Sequence, residues 1–216
     1  MSLSETKELL NRIKLGENQY QDFKFEINDA RKIARSLSAF SNTSGGRLLI
    51  GVKDNGRISG IRSEEEFYMV ESAASRYCKP EIRFESRQHR IESKQVLEIY
   101  IPECSDKPVF AKDDNNRWMA YIRVADENHL ANIVQLSVWE QANEPLGETL
   151  VYDRIQGILL EHLKRHPGQE LGRIAKDTGI KRRDLIVDLT KLVRFNVVEM
   201  IQEGSRCLFS LSEDQR

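Results

Sequence analysis

The run Arg47-Leu-Leu-Ile-Gly-Val52, set between the glycine pair Gly45 and Gly46 and the turn-forming Asp54-Asn-Gly56, constrains this chain more than any other stretch. Its apolar positions are continuous instead of alternating, which reads as a buried strand. Ahead of it, Ala30, Ile33, Ala34, Leu37 and Phe40 recur at helical spacing, with Asn28 as the expected cap. Before that helix, residues 20–25 alternate as a strand, placing Phe23 and Phe25 on one face and Tyr20, Asp22 and Lys24 on the other.

The same reading extends along the chain. Leu9, Leu10 and Ile13 predict an opening helix with Ser2 and Glu5 at capping-box spacing, and Ser63 with Glu66 repeats that spacing ahead of Phe67, Val70, Ala74 and Tyr77. Strands are expected around 81–85, 96–101 and 118–124, and a helix over 130–141 should close the unit. Asn143 to Glu148 combines proline with glycine and reads as a linker, dividing the chain into domains at 1–144 and 149–216.

After the linker, Val151, Ile155, Ile158, Leu159 and Leu163 form one amphipathic stripe, ended by Pro167 and Gly168. Leu171, Ile174 and Ala175 mark a second helix stopped by Gly179, and Leu185, Leu189, Leu192 and Val193 a third. A β-hairpin over 197–201 and 206–211 follows. The order and spacing resemble a winged helix-turn-helix domain. In that family the third helix enters the major groove, and here it opens with Lys181, Arg182 and Arg183. Cations at a helix N-terminus oppose its dipole, so a locally unfavourable triplet there points to a site. The expected role is neutralisation of phosphates, with Arg173 and Lys176 alongside and Arg206 reaching from the wing. The alternative is a solvated charged face used for protein contacts, a reading that Asp184 and Asp188 on the same helix keep open.

The first domain carries a second resemblance. G-E-N-Q-Y-Q-D-F-K, a helix ending in A-F-S-N, the pair G-G, the strand I-G-V, the turn D-N-G and the later K-P-V-F-A and A-Y-I-R-V-A-D-E-N-H-L-A-N together resemble the AlbA-2 domain of Schlafen proteins over roughly residues 12–140. This resemblance implies an α+β class: an α/β sandwich followed by the winged helix. Asn42, Gly45, Gly46, Gly51 and Gly56 are its motif positions, read as turn chemistry that maintains the fold. It also implies a nuclease alternative, in which Glu17, Asp22 and Asp54, with Lys24 beside them, hold Mg or Mn for cleavage of RNA. Asp22 stands where the family more usually has Glu, and Lys53 where it often has another acid. A structural ion-pair network is the competing account of these residues.

Other classes are less well supported. No G-x-x-x-x-G-K-[ST] cradle is present, so nucleotide binding of that design is not expected. His162 and His166 have i, i+4 spacing without an evident third ligand. Cys78, Cys104 and Cys207 are too few and too scattered for a disulfide framework or zinc site. No apolar run approaches a membrane span and no signal peptide is evident, so a cytoplasmic location is expected. The net charge of −1 is uninformative, although residues 149–216 carry 12 Lys and Arg against 10 Asp and Glu. The leading expectation is a bacterial DNA-binding transcriptional regulator, acting as a homodimer on paired half-sites and needing no cofactor. RNA as the nucleic acid and a non-catalytic nucleotide-binding or protein-interaction module remain alternatives.

Overall fold

In the computed structural model, residues 3–146 and 153–213 are described, and the chain divides into two units, residues 1–130 and 131–216. Ser2, the last two positions of the expected linker (Gly147 and Glu148) and Val151 lie outside the described residues.

The first unit is built on two four-stranded sheets. One has the order β1 (Gln21–Lys24), β2 (Gly46–Ile50), β5 (Lys94–Ile101), β4 (Glu85–Ile91); the other β3 (Cys78–Lys79), β6 (Phe110–Lys112), β7 (Trp118–Val124), β8 (Glu127–Leu130). Strands β1 and β2 are parallel, joined through helix α2 (Ala30–Asn42), and every other pairing is antiparallel. Strand β2 is covered on both faces, as its continuous apolar run requires. Leu48 and Ile50 enter a core with α2, helix α3 (Glu65–Arg76) and residues of both sheets, while Leu49 meets Leu9 and Ile13 of α1 (Leu3–Lys14).

Because α2 packs against the second sheet as well as α3, nearly its whole circumference is buried, including Ser36, Ser38, Ser41 and Asn42. Its polar groups survive burial by bonding distant backbone. Asn42 Nδ2 donates to the carbonyls of Val109 (2.8 Å) and Tyr121 (2.9 Å), and its Oδ1 accepts from Val109 N–H (2.7 Å). Asn42 therefore ties the helix to the second sheet. Gly46 is dictated by the same helix, since a Cβ there would lie 2.2 Å from the buried Phe40 ring.

Helix α2 is capped by Asp29, whose side chain accepts from Arg31 N–H, and not by the expected Asn28. Ahead of α3 only half of the expected Ser63–Glu66 box forms: the Glu66 carboxylate accepts from the Arg62 and Ser63 N–H groups, but Ser63 Oγ accepts from Glu65 N–H instead of Glu66 N–H, and Glu64 is the N-cap. The strand expected over 81–85 is displaced, with β3 before cis-Pro80 and β4 starting at Glu85.

The second unit begins earlier than the sequence suggested. Helix α4 (Ile133–Glu140), expected to close the first domain, packs on α7 (Arg182–Arg194), and Val134 is fully buried in the second core. Helices α5 (Arg154–Arg165), α6 (Leu171–Thr178) and α7 enclose that core with a three-stranded antiparallel sheet of order β10 (Val198–Glu203), β11 (Arg206–Leu211), β9 (Gln169–Glu170). Helix α5 is rotated from the expected phase. Leu159 and Leu163 face inward with Gln156, whereas Ile155 and Ile158 remain exposed. Gln156 is buried because its Nε2 donates to Asp188 Oδ1 at 2.9 Å, which turns Asp188 of α7 into the core. Gly179, at φ +71°, ends α6 in the left-handed conformation.

Candidate functional site

Two groups of expected site residues are brought together, one in each unit. In the first unit, alternation along β1 projects Asp22 and Lys24 from the same face, and their charged ends meet at 2.7 Å. Glu17, in the turn after α1, accepts from Phe23 N–H at 2.8 Å, which carries its carboxyl to Asp22. Arg123 of β7, 3% exposed, completes the cluster, 3.4 Å from Asp22 and bonded also to the carbonyls of Asn18 and Gln21 and to Asn128. Ser36 Oγ reaches Asp22 at 3.5 Å.

Two neighbouring carboxyls cannot both ionise cheaply. Burial and the hydrogen bond to Asp22 raise Glu17 from the ordinary 4.5 to about 7. Burial works against ionised Asp22 as well, but the bond from Glu17 and the charges of Lys24 and Arg123 hold it below the ordinary carboxylate range. Below about pH 7 the pair is thus a protonated Glu17 beside an ionised Asp22.

The folded chain therefore holds a proton that the unfolded chain releases near 4.5. The stabilisation from Glu17 is complete below that value and lost as pH rises through about 7. Asp22 behaves oppositely, its contribution disappearing only in acid. Glu17→Gln keeps the hydrogen bonds and cannot ionise. Its melting temperature is expected to fall less than that of the wild type between about pH 5 and about pH 8, and to be the higher of the two at the alkaline end. Parallel curves from thermal melts would reject the raised Glu17.

Asp54 does not join this cluster, which corrects the three-carboxylate expectation. Strand β2 ends at Ile50, and Gly51 (φ +91°) turns the chain; a Cβ there would lie 2.7 Å from Gly60. Residues 53–55 then stand exposed in the hairpin closed by Val52 and Ile58. Among the described residues no three His, Cys, Asp or Glu side chains gather as metal ligands. With Asp22 engaged by Lys24 and Arg123 and no third carboxylate beside it and Glu17, the described residues do not assemble a ligand set that fits Mg or Mn. Lys53 lies 4.9 Å over the Phe25 ring.

Of the motif positions, Asn42, Gly46 and Gly51 are fixed by the backbone and packing contacts already described. Gly45 and Gly56 take φ of +68° and +78° in turns. Arg123 is the residue that sequence reading missed. Its signal was its phase, two positions after the buried Tyr121 in β7.

In the second unit the basic residues fall into two sets. Arg173 pairs with Asp177 at 2.7 Å and Arg206 with Glu203 at 3.1 Å, so two of the expected contacts are already neutralised. Lys176, Lys181, Arg182 and Arg183 are exposed and make no ion pair among the described residues. Lys181 sits at the N-cap of α7 without a side-chain capping bond, as Glu64 and Glu170 do at α3 and α6, whereas Asp29, Asn132 and Asp153 cap their helices. Asp184 is exposed in the first turn, but Asp188 is withdrawn to Gln156.

Comparison with known proteins agrees with the architecture of the first unit. Residues 17–132 match the family described as Schlafen, AlbA_2, and the chain belongs to that family. Among solved structures it is similar to the DIP2311 protein from Corynebacterium diphtheriae, with 19% identity and a TM-score of 0.45 over 68% of this chain and 30% of that one. It is also similar to the N-terminal domain of a RecG-related ATP-dependent DNA helicase protein from Nitrosomonas europaea, with 19% identity and a TM-score of 0.43 over 68% of this chain and 94% of that one. The chain thus spans less than a third of the length of the first of these structures. No curated protein matches it. Among the described residues no helix is long and apolar enough to cross a membrane.

Proposed function

We propose that this chain binds nucleic acid, that its second unit is a winged helix, and that it acts on duplex DNA as a transcriptional regulator. The observation that carries the reading is the open basic triplet at the start of α7. Lys181, Arg182 and Arg183 stand exposed as three consecutive cations without an ion pair among the described residues; Arg154, Lys164 and Lys176 are also exposed and unpaired but stand singly, and Arg165, Arg173 and Arg206 are paired with neighbouring acids. Support comes from the element order α5-β9-α6-α7-β10-β11, with a glycine turn between α6 and α7 and a hairpin after them. In such a unit α7 is the helix offered to the major groove, and its first turn meets phosphates and base edges. A backbone-anchored contact of this kind makes affinity strongly dependent on salt. Reading paired half-sites would need a second copy of the chain.

The test is fluorescence anisotropy of labelled duplex DNA titrated with the full chain at several salt concentrations. Binding that weakens steeply with salt is expected, with an RNA hairpin of equal length as comparison. No binding to either nucleic acid at low salt would end the proposal. Tighter binding of the hairpin, followed by its cleavage, would overturn the DNA-directed reading and move attention to Glu17, Asp22 and Lys24 in the first unit.

A further inference from the structure

The sheet face that carries α1 holds a second charged arrangement, separate from the cluster at Asp22. Register places Arg47 and Glu85 opposite Tyr100, and Leu49 and Arg87 opposite Glu98, so these side chains share one face of β2, β5 and β4. With Arg12 of α1 and Ser86, the polar members of this group line a cleft of about 310 Å3.

Glu98 forms its floor and is 6% exposed. One carboxylate oxygen meets Arg12 Nη1 at 2.6 Å and Arg47 Nε at 3.0 Å; the other lies 2.6 Å from Nε2 of His89, itself 3% exposed. Burial acts to raise Glu98, but the bond to His89 and the charges of Arg12 and Arg47 hold it below the usual carboxylate range. A buried ion pair is poor value as a stabiliser, because apolar residues of similar volume serve as well. What it achieves is to fix two guanidinium groups on the wall of an open cleft. Arg47 is held further over the Tyr100 ring, 4.9 Å from its centroid. Arg87 stands exposed on the same face with no ion pair among the described residues. Glu8, bound to the far side of Arg12, and Glu85 at the rim are the remaining carboxylates near it.

We propose that this cleft binds a phosphate group, gripped by the outer nitrogens of Arg47 and by Arg87, beside Arg12, whose two ends are held by Glu98 and Glu8. Planar guanidinium forks match phosphate oxygens two at a time, which suits a phosphate monoester or a backbone diester. The site lies in the first unit and does not depend on α7.

The test titrates inorganic phosphate, AMP and a short single-stranded oligonucleotide into the isotope-labelled full chain, followed by NMR. Amides of residues 85–87 and 98–100 are expected to shift. Arg87→Ala and Arg47→Lys should each weaken the response at least ~10-fold, the loss of a charge-assisted hydrogen bond. Arg87 is exposed, so its variant should melt with the wild type and separate lost binding from lost folding. Stronger binding of AMP than of the oligonucleotide supports the proposal with a free nucleotide as ligand; the reverse supports it with a nucleic-acid backbone. Absence of shifts with all three probes, or equal affinities in both variants, overturns it. Arg182→Ala with Arg183→Ala leaves these shifts unchanged, so failure here is distinguishable from failure of the α7 reading.

Discussion

Arg182→Ala combined with Arg183→Ala is expected to reduce duplex DNA affinity roughly 50- to 100-fold near 0.1 M salt, and to lower the slope of log affinity against log salt by about 2. Each phosphate contact releases condensed counterions and contributes about 0.9 to that slope, so two lost contacts fix both numbers together. The effect should be equal on specific and random sequences if the side chains touch phosphates alone, and larger on a specific site if either reaches a base edge. Stability should not fall. Both residues are exposed in the first turn of α7, where removing positive charge relieves an unfavourable interaction with the helix dipole. Anisotropy titrations at four or more salt concentrations check the slope, and a slope equal to that of the wild type would exclude these arginines from the interface. Arg206→Ala offers a comparison: its guanidinium is already engaged by Glu203, so a smaller change is expected.

Asn42→Ala is expected to destabilise the first unit by about 3 kcal/mol, because it strands buried backbone groups instead of merely shortening a side chain. The Val109 carbonyl retains Ser38 Oγ at 2.7 Å, but the Val109 N–H and the Tyr121 carbonyl lose their bonds to Asn42. Each such group costs about 1–3 kcal/mol when left unpaired out of water. Asn42→Asp should be worse than alanine, since it retains the acceptor for Val109 N–H and turns a carboxylate oxygen toward two carbonyls. Calorimetry should show the transition of the first unit lowered by roughly 10 °C, with that of the second unit unmoved. An aspartate variant as stable as the wild type would mean that the donor bonds of Asn42 contribute little.

Much of the architecture is legible in the residues themselves. The unbroken apolar run of β2 required cover on both faces, and alternation along β1 correctly placed Asp22 beside Lys24. Strand β4, Glu-Ser-Arg-Gln-His-Arg-Ile, was not legible because an edge strand with little buried surface need not be apolar; only His89 of its seven residues is buried. In α5 the four apolar residues spanned more of the helix than one contact face, and periodicity could not show that Gln156 would face inward while Ile155 and Ile158 stayed exposed. That choice is made by Asp188, thirty-two residues away, which supplies the partner. At the site, pairwise neighbours along β1 were readable, whereas Arg123 arrives from a strand about a hundred residues later. The separation of Asp54 from Glu17 and Asp22 depends on the turn at Gly51, whose left-handed backbone no spacing rule reveals.

Helix α4 has a practical meaning for anyone cutting this chain apart. A fragment begun at residue 149 would keep α5, α6, α7 and the hairpin, yet remove Val134 from among Leu185, Leu189 and Leu192. It would also remove Gln141 and the Glu144 carbonyl, both bonded to Arg194. The second compact unit starts at Ala131, immediately after the last strand of the preceding unit, so a fragment begun at residue 149 would bring a raw apolar seam into any binding assay.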